Sequence, residues 1–78
     1  MAQFLVSYDL DKPGQNYWNL THRLEGLGFK RVLLSQWVGV GDYGVEALRN
    51  DLQPRIDAND RLLVIDITGD PAAGYNLL

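Results

Sequence analysis

Residues 4–9, Phe4-Leu5-Val6-Ser7-Tyr8-Asp9, form an apolar ribbon that runs into a carboxylate. Read as a strand, the segment places Phe4, Val6 and Tyr8 on one face and Leu5, Ser7 and Asp9 on the other. Leu10-Asp11-Lys12-Pro13-Gly14 follows as a turn, because Pro presets one backbone angle and Gly accepts a positive one. Between 16 and 27, Tyr17, Leu20, Leu24 and Leu27 recur at spacings of three and four, the stripe of an amphipathic helix. Asn16 is a candidate N-cap, and Gly28 suits the left-handed position beyond the C-terminus.

Residues 29–40 read as extended, with a bend at Ser35-Gln36 that divides them into two short strands. Continuing the alternation through this segment sets Val32 and Leu34 against Arg31, Leu33, Ser35 and Trp37. A second helix starts near Gly44 or Val45 with Val45, Leu48, Leu52 and Ile56 inward, and Pro54 kinks or ends it. The last strand is Arg61 to Ile67, closed by Gly69-Asp70-Pro71, and a tail follows to Leu78. This order predicts one domain over residues 1–78. The expected fold is an α+β, ferredoxin-like βαββαβ sandwich with two helices on one face of an antiparallel sheet.

Two short helices cover one sheet face, yet large apolar residues fall on both. An uncovered face bearing Leu5, Leu33 and Trp37 is the kind of patch that marks an interface, so a homodimer through that face is expected. The alternative is that the tail folds back over it.

Length and charge narrow the function. At 78 residues a single core supplies only about 3–5 kcal/mol of net stability, a further reason to expect pairing. The absence of cysteine excludes a disulfide or thiolate-metal brace. Met1-Ala2-Gln3 lacks a basic stretch and no apolar run nears the ~18 residues of a membrane span, so a cytoplasmic protein with no membrane partner is expected. Seven basic against ten acidic residues, net −3, argue against broad electrostatic binding of nucleic acid. A local basic patch of Arg23, Lys30 and Arg31 remains open.

Three passages resemble the small CRISPR-associated Cas-two proteins and their relatives outside CRISPR loci. They are Val6-Ser7-Tyr8-Asp9, Gly28-Phe29-Lys30-Arg31-Val32-Leu33-Leu34-Ser35-Gln36-Trp37, and Asp60-Arg61-Leu62-Leu63-Val64-Ile65. The resemblance implies a homodimer in which the first-strand aspartates face each other. It implies either magnesium-dependent endonuclease activity or a scaffold that organises nucleic acid. On that reading Asp9 is the catalytic, metal-facing carboxylate, with Arg31, Ser35 and Trp37 lining the nucleic-acid or interface region. The tail, residues 71–78, would pair with a partner subunit.

The residues also admit plainer roles. Asp9 is equally a cap for the turn that follows it, and Arg31 is as apt to pair with Asp9 as with phosphate. His22 falls on the solvent side of its helix, and neither Ser7 nor Ser35 has a histidine nearby in sequence, so a nucleophilic serine is disfavoured. Gly39-Val40-Gly41-Asp42-Tyr43-Gly44 is a literal G-x-G-x-x-G between strand and helix, with Asp66 downstream. A dinucleotide loop and a glycine-rich connection both fit it. A protein-interaction module without catalysis is the second functional class, favoured by the acidic balance.

Overall fold

In the computed structural model, which describes residues 1–11 and 17–78, the elements run β1 (Ala2–Asp9), α1 (Trp18–Gly26), β2 (Lys30–Leu33), β3 (Gln36–Gly41), α2 (Val45–Leu52) and β4 (Arg61–Asp66). A 3-10 turn over Gln53–Arg55 follows α2 directly, with Pro54 inside it, so the proline ends the helix as its missing donor requires. The strands form one four-stranded antiparallel sheet in the order β2-β3-β1-β4.

The amphipathic stripes determine how the helices sit. Leu20 and Leu24 of α1 and Leu48 and Leu52 of α2 are buried, with Tyr17, Leu27, Val45 and Ile56 packed around them. They meet Phe4, Val6 and Tyr8 from β1, so both helices cover the face those residues share. Burying a large aliphatic or aromatic side chain is worth about 1.5–3 kcal/mol, and this layer is the core formed among the described residues. Gly28, at φ 85°, takes the left-handed conformation that releases the chain from α1 into β2. The Asn16 cap and most of the turn after Leu10 lie outside the described residues.

Trp37 lies on the opposite face from the one its spacing suggests. It is 3% exposed, sits opposite Val6, and joins the helix-covered core instead of the open face with Leu5 and Leu33. Two local features reverse the alternation. Leu33 and Gln36 close a two-residue turn as partners, which puts an odd and an even position on the same face. A bulge between Arg31 and Leu33 then rotates Arg31 to the core side, opposite Trp37.

The uncovered face follows from pairing, since residues directly opposite across a ladder point the same way. Leu5 lies between Val38 and Ile65, Ser7 between Gln36 and Leu63, Gln3 opposite Val40, and Asp9 opposite Arg61. Val40, Leu63 and Ile65 are 52%, 56% and 39% exposed. The tail reaches from β4 to the far edge of the sheet, where the Leu78 N–H donates to the Val32 carbonyl at 3.1 Å. Residues 71–78 are themselves exposed, and on the open face Val40, Leu63 and Ile65 stay exposed while Leu5 and Val38 are half-buried.

Candidate functional site

Asp9 ends β1 on the open face, its side chain 74% exposed. Its neighbour is Arg61, whose Nη1 lies 3.4 Å from Oδ2. Asp9 thus pairs with Arg61 and not with Arg31, the partner weighed as one alternative, because the bulge has turned Arg31 to the other face. A shallow depression of about 160 Å³ beside the pair is lined by Ser7, Tyr8, Asp9, Arg61, Leu62 and Leu63. Within it the Ser7 hydroxyl accepts a hydrogen bond from Gln36 Nε2 at 3.3 Å.

Magnesium takes octahedral oxygen coordination and is usually held by one or two carboxylates plus water and phosphate. A single chain offers Asp9 with a guanidinium beside it, and no group of three or more His, Cys, Asp or Glu among the described residues is placed to hold a metal. The donor set of one chain does not fit the ion. Close by in sequence, the Asp11 backbone N–H donates to Asp60 Oδ1 at 2.7 Å. Asp60 Oδ1 also accepts from the Tyr17 hydroxyl, and Oδ2 from the Asp57 N–H, so this carboxylate ties together three chain segments. The Asp57-Ala58-Asn59-Asp60 run is a turn signal in the sequence, but nothing there says that the carboxylate serves distant donors.

Arg31 and Trp37 lie together, and Ser35 lies apart from them in the hairpin turn. The Arg31 guanidinium lies 4.9 Å from the Trp37 ring centroid, a cation–π contact, and its Nε is buried without a hydrogen-bond partner. Trp37 Nε1 donates to the buried Tyr8 hydroxyl at 2.9 Å. Ser35 lies in the hairpin turn, where its carbonyl accepts the Tyr8 N–H at 3.1 Å. These contacts lock the hairpin onto β1. His22 is exposed, stacked on the exposed Trp18 ring at 4.3 Å between centroids.

The glycine motif is divided between strand and helix. Gly39 and Gly41 lie inside β3, and Gly44 precedes α2. A methyl group at Gly39 would overlap the Phe29 ring, and one at Gly41 the Tyr43 ring. Two aromatic rings thus lie flat on the strand where side chains are missing. Aromatic packing alone is enough to require glycine at these two strand positions. Asp66 is committed elsewhere: its Oδ1 accepts from the N–H and hydroxyl of Thr68, which depress its pKa.

The strongest electrostatic arrangement joins the helices. Arg23 of α1 grips Asp51 of α2 through Nε, 3.1 Å from both carboxylate oxygens, and Nη2, 2.7 Å from Oδ2. Arg55 adds a contact at 3.3 Å. Hydrogen bonding from Arg23 holds the Asp51 carboxyl below its usual 3.8. Arg23 thus engages Asp51, while Arg31 engages Trp37. No helix among the described residues is long and apolar enough to cross a membrane. Comparison with protein-family models, with curated proteins and with solved structures found no match to this chain.

Proposed function

We propose that the chain is a ferredoxin-like interaction module that self-associates through its open sheet face, without catalysis of its own. The observation that carries this reading is a row of apolar side chains on a face built by three adjacent strands, with Val40, Leu63 and Ile65 exposed and Leu5 and Val38 half-buried between them. Exposed apolar surface of this kind is costly for a monomer, and a second copy of the same face is its simplest cover. The acidic balance fits a protein surface better than a phosphate backbone. Sedimentation equilibrium tests this reading. A dimer is expected at micromolar concentration, and Leu63→Lys is expected to give a folded monomer. A wild-type monomer at high concentration would overturn it.

A second reading has its own support, because Asp9 shares the open face with Leu5 and Ile65. Packing two such faces together would bring two Asp9 carboxylates toward one another and relieve the shortage of ligands in one chain. The metal-dependent phosphodiesterase implied by the Cas-two resemblance needs that arrangement. Incubation with RNA and DNA in magnesium or manganese tests it. Cleavage lost in Asp9→Ala, with the fold intact, supports it, and cleavage that persists in this variant removes Asp9 from the chemistry.

A further inference from the structure

The two edges of the sheet are unlike. At one edge β2 spans 4 residues, carries Lys30, shifts register at a bulge, and has its Val32 carbonyl taken by the Leu78 N–H. Short length, lysine, a bulge and a covering segment are the devices that keep an exposed edge from pairing. At the other edge β4 shows none of them along its length. Its 6 residues, Arg61-Leu62-Leu63-Val64-Ile65-Asp66, run in unbroken register with β1 and are charged only at the two ends. Among the described residues no strand pairs with its outer side.

The ladder determines which backbone groups face outward. The Ile67 N–H donates to the Gln3 carbonyl at 2.8 Å, and opposed residues of an antiparallel pair alternate between bonded and non-bonded. Ile65, Leu63 and Arg61 therefore direct their N–H and C=O groups to β1, while those of Leu62, Val64 and Asp66 point away from the sheet. These three amides donate no hydrogen bond among the described residues. Beside them a groove of about 270 Å³ runs between α2 and β4, lined by Val45, Glu46, Arg49, Leu62, Leu63 and Val64. Its lip carries one acid and one base, and neither makes an ion pair among the described residues.

We propose that the β4 edge docks a second copy of the chain, the two β4 strands pairing antiparallel about a two-fold axis at Val64 so that the sheets join into one. This register matches outward-facing groups on both strands: Val64 bonds to its own copy, and Leu62 to the partner's Asp66. It also sets Leu63 across from the partner's Ile65 on the open face, an apolar cross-strand pair. Moving the axis to Leu63 would oppose Asp60 to the partner's Asp66, and moving it to Ile65 runs the pairing past the end of β4. The same axis makes α2 antiparallel to its image, so Glu46 and Arg49 are complementary to the same lip on the other copy. This contact goes beyond packing of the open faces: edge-joined copies present one broader apolar face, and the two contacts together build an assembly of four chains. Leu63 belongs to both contacts, so Leu63→Lys does not tell them apart.

Amide hydrogen exchange of the ¹⁵N-labelled full chain, run beside sedimentation, tests the edge. At millimolar concentration the Leu62, Val64 and Asp66 amides are expected to be protected, and to exchange at least about tenfold faster on dilution to the dimer. Fast exchange of all three in a millimolar sample that sediments as a dimer would overturn the edge contact and leave the open-face reading standing. A millimolar monomer would overturn both. Slow exchange that persists in a diluted monomer would mean that another segment of the chain covers the edge, and would overturn the second copy as its occupant. Val64→Pro removes an outward N–H while keeping every bond to β1, so it is expected to fold and to stop at two chains. Four chains in the folded variant would overturn the proposal. If Val64→Pro loses its spectral dispersion, Glu46→Lys decides the matter, since Glu46 is an exposed helix position. Reversing two symmetry-related charge pairs should weaken the four-chain assembly about fivefold at low salt, and unchanged assembly would overturn the proposed axis.

Discussion

Gly39 shows how a single position can mislead when its neighbours in space are unknown. In the chain it belongs to a phosphate-loop pattern; in the fold it is the gap that receives the Phe29 ring. The two readings predict different costs. Replacing a strand glycine by alanine at an unstrained, open site gains about 0.4–1 kcal/mol through the unfolded chain. Here the added methyl overlaps a buried ring, and overpacking of this kind costs about 1–3 kcal/mol. Gly39→Ala should therefore destabilise the protein on balance by about 1–2 kcal/mol in urea unfolding. A neutral or stabilising result would show that Phe29 can move aside. Trp37 teaches a similar lesson: its aromatic character was visible in the sequence, but its hydrogen bond to Tyr8 depends on a turn that reverses strand parity.

Helix boundaries were legible to within a residue or two because they depend on local signals. The leucine spacing, Gly28 and Pro54 placed α1 and α2 correctly, and the alternation of β1 separated its two faces as built. The joining of α1 to α2 by Arg23 and Asp51 was not legible, since no periodicity links residues 28 apart in sequence. That bridge gives an acid sensitivity of definite sign. The folded-state pKa of Asp51 is below the ordinary 3.8, so the carboxylate's contribution is complete above that value. It is lost as the pH falls below 3.8 through the depressed folded pKa. Asp66, held low by Thr68, acts in the same direction over the same range. Asp51→Asn should flatten this acid limb without removing it, because Asp66 remains. Melting temperature against pH from 6 down to about 2 measures it. An unchanged slope would mean that the bridge contributes nothing to the folded state.

For the whole molecule, the question is what covers the open sheet face. Across it lie Leu5, Val38, Ile65 and Leu63, with Asp9 and Arg61 at one end. If two such faces pack together, burial of apolar surface drives association, and charges contribute mainly repulsion between two chains of −3. The dimer's dissociation constant should then stay level or fall as sodium chloride rises from about 50 to about 500 mM, because screening at these strengths weakens only the charge repulsion. Weakening by tenfold or more over that range would mean that ion pairs hold the copies together, and would move the interface away from this face.

The sequence by itself determined the α+β class, the order of elements, the helix stripes and the existence of a second apolar face. Each of these rests on the period of side chains along a short stretch of backbone, which is local information. Tertiary structure alone decided which face holds Arg31 and Trp37, which arginine meets Asp9, why β3 needs glycines, and that the Tyr43 hydroxyl is buried over Gly41. Those outcomes depend on strand register and on one bulge, and a shift of a single residue in register carries every side chain to the opposite side of the sheet.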